Sequence, residues 1–247
     1  MPDVLGYRGK WGVLVPSTNT VVEPDFYAMA PAGVTLHTGR ISLNTGAMSD
    51  DDMFEKLMIQ IRAALPQAIK DVLTIEPDYL VMGMSSETFW GGRAGNDAFT
   101  QRVRELAGLP IATGAVACEK SLAALGSRRL GVITPYQPIG DAQVRQFLTE
   151  CGYDVVALTG LRCTTAVGIA QQSEDTLRRA ILEVNRPDVD TILQVGTNLS
   201  MLRLADEAER WLGKPVVAIN AATFWLALRE NGIRDQQPGF GRLLRDF

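Results

Sequence analysis

The 247-residue chain is poor in the residues that build metal centres and crosslinks. It has a single histidine, His37, so no multi-histidine metal site is expected, and a Ser–His–Asp triad would have to run through a residue with no partner pattern around it. Its three cysteines, Cys118, Cys151 and Cys163, are odd in number and widely spaced, which argues against a disulfide framework or a zinc knuckle. No apolar run approaches the roughly 18 residues that a membrane span needs. The opening MPDVLGYRGKWG lacks the apolar core of a secretion signal, so a cytoplasmic protein is expected. Positive charge is also not in excess. A net charge of −4 gives no reason to expect nucleic acid or an anionic membrane as a partner. Neither G-x-G-x-x-G after the first strand nor a P-loop is present, which speaks against dinucleotide and phosphoryl chemistry.

What remains is an ordinary globular composition, 46% hydrophobic and 21% charged, enough for one large domain or two α/β lobes. Its organising stretch is Asp78–Glu87, DYLVMGMSSE. Tyr79–Gly83 is a short apolar run without helical period, which fits a strand buried on both faces. Ser85, Ser86, Glu87 and Thr88 then place polar groups where the strand stops, the position at which open α/β sheets bind ligands.

The plan recurs. Thr191–Gly196 (TILQVG) is followed by Thr197, Asn198 and Ser200. Trp11–Thr18 (WGVLVPST) is echoed by Leu130–Gln137 (LGVITPYQ), and Gly108–Thr113 (GLPIAT) by Gly213–Ala218 (GKPVVA). The offset, roughly 105–120 residues each time, reads as an internal duplication. Two α/β halves on one plan place a site in the cleft between them.

Other segments fill in the rhythm. After the first strand, Pro16-Ser17-Thr18-Asn19 either caps a helix or holds a carboxylate through hydroxyl, amide and backbone N–H groups. Val34–Leu43 reads as a strand in which His37 is structural. Ser49–Leu73 is a long amphipathic helix with Ser49 or Asp50 as cap, a stripe of Phe54, Leu57, Met58, Ile61 and Leu65, and an interruption expected at Pro66. Phe89-Trp90-Gly91-Gly92 is a turn whose aromatics are either core or the wall of a pocket. Asp141–Cys151, Ser173–Asn185, Met201–Leu212 and Ala221–Glu230 read as helices, and Pro238–Phe247 as an ordered arm or a lid anchor.

These motifs carry a resemblance. GVLVPSTNTVVEP at Gly12–Pro24 resembles the opening of maleate cis-trans isomerase. VMGMSS at Val81–Ser86, TPY at Thr134–Tyr136 and PGFGRLL at Pro238–Leu244 resemble arylmalonate decarboxylase. The chain is thus similar over nearly its whole length to that branch of the aspartate/glutamate racemase superfamily. The resemblance implies two pseudo-symmetric α/β lobes, each with a parallel four-stranded sheet, and a site in the inter-lobe cleft. It places residues 1–117 with 222–247 in one lobe and 118–221 in the other.

It further implies cofactor-free, metal-free proton transfer next to a carboxylate, on a small carboxylate or dicarboxylate substrate, through an enediolate. The family uses a cysteine at one or both duplicated strand ends. Here those positions fall on Gly83 and Gly196, and the three cysteines read as packing residues elsewhere. The remaining equipment implied for substrate binding is Pro16, Ser17, Thr18 and Asn19 in the first loop, Gly83, Met84 and Ser86 in the second, and Gly196, Thr197 and Asn198 in the facing lobe. Ser85 matches a hydroxyl of the decarboxylase dioxyanion hole, with Met84 in place of its neighbouring threonine, and Tyr136 matches the family tyrosine. Glu87, beside Phe89 and Trp90, is the candidate to replace the missing thiol, its pKa raised by the rings; the alternative is a solvated carboxylate at a helix start. With Ser85 and Tyr136 it completes the expected catalytic set. The expected activity is decarboxylation or isomerisation without cysteine, the alternative a carboxylate-binding homologue without catalysis, as a monomer or homodimer.

Overall fold

Residues 3–44 and 46–247 are described by the computed structural model. The duplicated apolar runs become strands because both of their faces are covered. In the first half, β1 (Gly9–Pro16), β2 (Val34–Ile41), β3 (Tyr79–Met82) and β4 (Ile111–Ala112) form a parallel sheet in the order β2-β1-β3-β4. In the second, β5 (Arg129–Thr134), β6 (Asp154–Gly160), β7 (Thr191–Gln194) and β8 (Val216–Ala218) repeat it as β6-β5-β7-β8. The central strands match the sequence reading: all four residues of β3 and all four of β7 are buried. Equivalent registers, Trp11 opposite Tyr79 and Leu130 opposite Thr191, put the ends of β1 and β3, and of β5 and β7, at the same level. Their following loops are therefore brought together.

The helices of the first half are α1 (Val22–Met29), α2 (Asp51–Leu73), α3 (Gly92–Ala107) and α4 (Gly114–Ala124). Asp50 caps α2, accepting a hydrogen bond from Met53 N at 2.8 Å. Pro66 was expected to interrupt this helix and does not: α2 runs unbroken from Asp51 to Leu73. Its buried stripe, from Phe54 through Leu65 to Val72, continues on both sides of the proline, and that packing outweighs one lost backbone bond. His37 sits in β2 with Nε2 3.1 Å from Thr35 Oγ1, a structural role as read.

The second half adds α5 (Pro138–Glu150), α6 (Ala166–Ala170), α7 (Glu174–Val184), α8 (Leu202–Leu212), α9 (Ile219–Glu230) and α10 (Arg242–Asp246). The short helices α6 and α10 carry too few residues for a periodic signal. Although α9 follows β8, it lies on the first sheet. Phe224 meets Trp11 of β1 at 5.7 Å and Phe26 of α1 at 5.2 Å between ring centroids. Every residue from Ile219 to Leu228 is buried, because the helix is enclosed between α4, α1 and the strands. Among the described residues, no helix is long and apolar enough to cross a membrane.

Candidate active site

The loops after β1, β3, β5 and β7 contribute to a half-open cavity of about 60 Å³ between the two sheets. Its floor is polar: Thr18 and Asn19 from the first loop, Ser85 and Ser86 after β3, Tyr136 after β5, and Thr197 and Asn198 after β7. Its wall is apolar: Met48, Phe54, Leu57, Met58 and Ile61 from the first half, Ile169 from the second. Among the described residues, no charged side chain lines it.

Two hydroxyls meet across the floor. Ser85 Oγ lies 2.8 Å from Tyr136 Oη, and both residues are buried. The Tyr136 ring is held against Phe54, with centroids 5.3 Å apart. Burial pushes the Tyr136 phenol well above its ordinary value, partly opposed by the bond to Ser85, so it keeps its proton at neutral pH.

The neighbouring polar side chains are occupied in building the loops. Asn19 Oδ1 accepts from Val21 N and Val22 N at 2.9 and 3.0 Å, tying down the start of α1. Its amide donates to Thr197 Oγ1 at 3.2 Å, and that hydroxyl donates to Gly83 O at 3.1 Å. Asn198 accepts from Thr20 N at 2.9 Å and donates to Ala166 O at 2.8 Å. These bonds join the halves and leave the side chains little freedom for a ligand. The backbone N–H groups of Thr197 and Asn198 donate to no acceptor among the described residues and are free to receive an anion.

The structure thus brings together Pro16, Thr18, Asn19, Met84, Ser85, Ser86, Tyr136, Gly196, Thr197 and Asn198 around one cavity. Three expected residues are not among its lining. Ser17 is exposed and its Oγ accepts from Leu43 N at 3.1 Å. Gly83 is packed behind the floor, its N–H donating to Leu14 O at 2.8 Å. Glu87 requires the larger correction. It lies on a 3₁₀ turn, Ser86–Phe89. At about three residues per turn, a side chain two positions beyond Ser85 cannot share its face. Its carboxylate instead accepts from Arg62 Nε at 2.5 Å, in a separate hollow with Trp90, Phe99 and Arg102. Nor is it solvated: it is 7% exposed, and burial raises its pKa against the opposing effect of Arg62.

None of the three cysteines lines the cavity. Burial pushes all three thiols up, Cys151 and Cys163 to about 11, so none is a ready thiolate. Among the described residues, no three His, Cys, Asp or Glu side chains converge as a metal site. From the sequence, the apolar wall on α2 is legible only as the stripe of an amphipathic helix. An amphipathic stripe carries the same pattern whether it meets other side chains or a cavity.

Comparison with known proteins agrees with this architecture. The family model described as arylmalonate decarboxylase matches residues 11–244. Arylmalonate decarboxylase from Bordetella bronchiseptica is 36% identical over 165 residues, covering 64% of this chain and 68% of that protein. Maleate isomerase from Pseudomonas putida is 23% identical over 248 residues, covering 94% of this chain and 96% of its own. A mutant of Nocardia farcinica maleate cis-trans isomerase, solved with a covalently bound succinylcysteine intermediate, superposes with a TM-score of 0.87 at 21% identity, over 96% of this chain and 98% of that one.

Proposed function

Because the chain belongs to the arylmalonate decarboxylase family, we propose that it decarboxylates a malonate bearing one apolar substituent, through an enediolate, without a thiol. The observation that carries this reading is the Ser85–Tyr136 hydroxyl pair at 2.8 Å, on the floor of an uncharged cavity with an apolar wall.

The wall accepts the substituent. One carboxylate is retained on the floor by the N–H groups of Thr197 and Asn198 and the Ser85 hydroxyl. The other is left in surroundings with no cation to stabilise it, and loss of neutral carbon dioxide relieves that unfavourable placement. The carbon–carbon bond to the leaving group breaks and its electron pair passes into the retained carboxylate, giving the enediolate. Donors already aimed at its oxygens stabilise it without reorganisation; each is worth about 3–4 kcal/mol. The Tyr136 hydroxyl then gives its proton to carbon, and the phenolate recovers one from solvent by way of Ser85. A phenol held above its ordinary pKa is a weak acid, but the carbanion-like carbon is a far stronger base.

Cysteine-dependent isomerisation is disfavoured by the cavity's composition. The Nocardia farcinica enzyme carries its succinyl group on a cysteine, and no cysteine lines the cavity here. The test is to incubate the protein with phenylmalonate in deuterium oxide and follow it by proton NMR. Loss of carbon dioxide with one deuterium placed on the reacting carbon is expected. Tyr136→Phe and Ser85→Ala should each lower kcat by about 10²–10³. Binding without conversion would overturn the reading in favour of a carboxylate-binding homologue.

A further inference from the structure

Next to Tyr136 and outside the cavity lining, one buried carboxylate collects a set of bonds that the proposed reaction does not use. Asp141 is 6% exposed. One of its oxygens accepts from the Thr134 hydroxyl, and the other accepts from Arg162 Nη1 at 2.5 Å. Both partners also hold the backbone of Tyr136. The Thr134 hydroxyl accepts from Tyr136 N at 3.2 Å, and Arg162 Nη1 donates to Tyr136 O at 2.5 Å. The two peptide groups that fix the direction of the Tyr136 side chain therefore converge on a single carboxylate.

The surroundings fit that purpose. Arg162 has φ of 53°, a left-handed conformation that residues with a side chain seldom adopt, and its guanidinium reaches both Tyr136 O and Asp141 Oδ2. The arginine–aspartate pair crosses directly over Gly160, where an added Cβ would overlap both Arg162 Nη1 and Asp141 Oδ2. Neither Asp141 nor Arg162 lines the cavity.

We propose that Asp141, with Arg162, is a positioning residue that aims the Tyr136 hydroxyl at the reacting carbon. This rests on the decarboxylation reading for its kinetic arm only. Asp141→Asn should lower kcat by about 10–100-fold with KM changed less than about threefold, the split of a group acting only in the transition state. In a Tyr136→Phe background the same substitution should cost less than about twofold, because its effect passes through the missing hydroxyl. Multiplying losses in the double variant, or a rise in KM at constant kcat, would overturn the proposal.

A second arm does not depend on turnover. With 3-fluorotyrosine at the five tyrosines, the ¹⁹F resonance that disappears in Tyr136→Phe identifies Tyr136. That resonance should move in Asp141→Asn more than the other tyrosines do; an unmoved Tyr136 signal would overturn the proposal even if wild type decarboxylates nothing. Should Asp141→Asn fail to fold, Gly160→Ala displaces the pair without removing either charge, and the same two readouts decide.

Discussion

Arg62 Nε lies 2.5 Å from Glu87 Oε1, and the guanidinium carbon of Arg62 sits 5.5 Å from the centre of the Trp90 ring. This contact holds the Glu87 carboxylate on the outer side of the loop whose inner side bears Ser85. Glu87→Gln is therefore expected to leave kcat within about threefold of wild type while costing about 1–3 kcal/mol of stability, since the carboxylate is buried although the arginine is partly exposed and can rehydrate. Steady-state kinetics on the purified variant check this; a loss of 100-fold would return Glu87 to the mechanism.

The two strand ends where relatives are expected to carry cysteine do not have room for one. Gly196 has φ of 104°, and an added Cβ would come 2.5 Å from Pro135 Cδ. At Gly83 it would come 2.8 Å from Val15 Cγ2 and 2.9 Å from Val22 Cγ1. Gly196→Cys should cost about 1–3 kcal/mol through backbone strain, and Gly83→Cys a similar amount, about 1–3 kcal/mol, through overpacking. Urea denaturation measures both; variants as stable as wild type would show that the pocket already accommodates a thiol.

Asn220 Nδ2 donates to Asp25 Oδ2 at 2.8 Å and to Thr197 O at 3.0 Å, linking a carboxylate outside the cavity to its floor. Burial pushes Asp25 from 3.8 up to about 6, against the lowering effects of the Asn220 bond and of Arg203. Between those values the folded chain holds a proton that the unfolded chain has lost. The contribution of this group to stability is then full below pH 4, falls as pH rises to about 6, and stays low above it. Asp25→Asn should accordingly gain melting temperature over wild type as pH climbs from 4 to 6, with a constant advantage at higher pH. A difference between the two proteins that does not vary with pH would contradict the assignment.

Much of this arrangement was legible in the residues. TILQVG and DYLVMG have no helical period and end in glycine, and both become buried central strands with the polar loops just beyond them. Ser85 and Tyr136, 51 positions apart, could be paired only through the duplicated plan and the resemblance, since local pattern carries no information at that separation. Two features escaped for physical reasons. Glu87 is near Ser85 in sequence, but the pitch of a 3₁₀ turn sends it the other way. Asp141 and Arg162 look like ordinary surface charges; they meet across 21 positions to hold the Tyr136 backbone, and no composition or spacing signals it. Pro66 erred in the opposite direction, a local breaker overruled by the continuous apolar stripe of α2.

The placement of α9 has a consequence for how the molecule is made. Trp11 and Phe26 belong to the first strand and first helix, yet the ring that covers them, Phe224, is encoded near the other end of the chain. During synthesis that ring leaves the ribosome only after β8, long after the strand and helix it covers. A chain stopped before Phe224 would leave Trp11 and Phe26 without the ring that covers them.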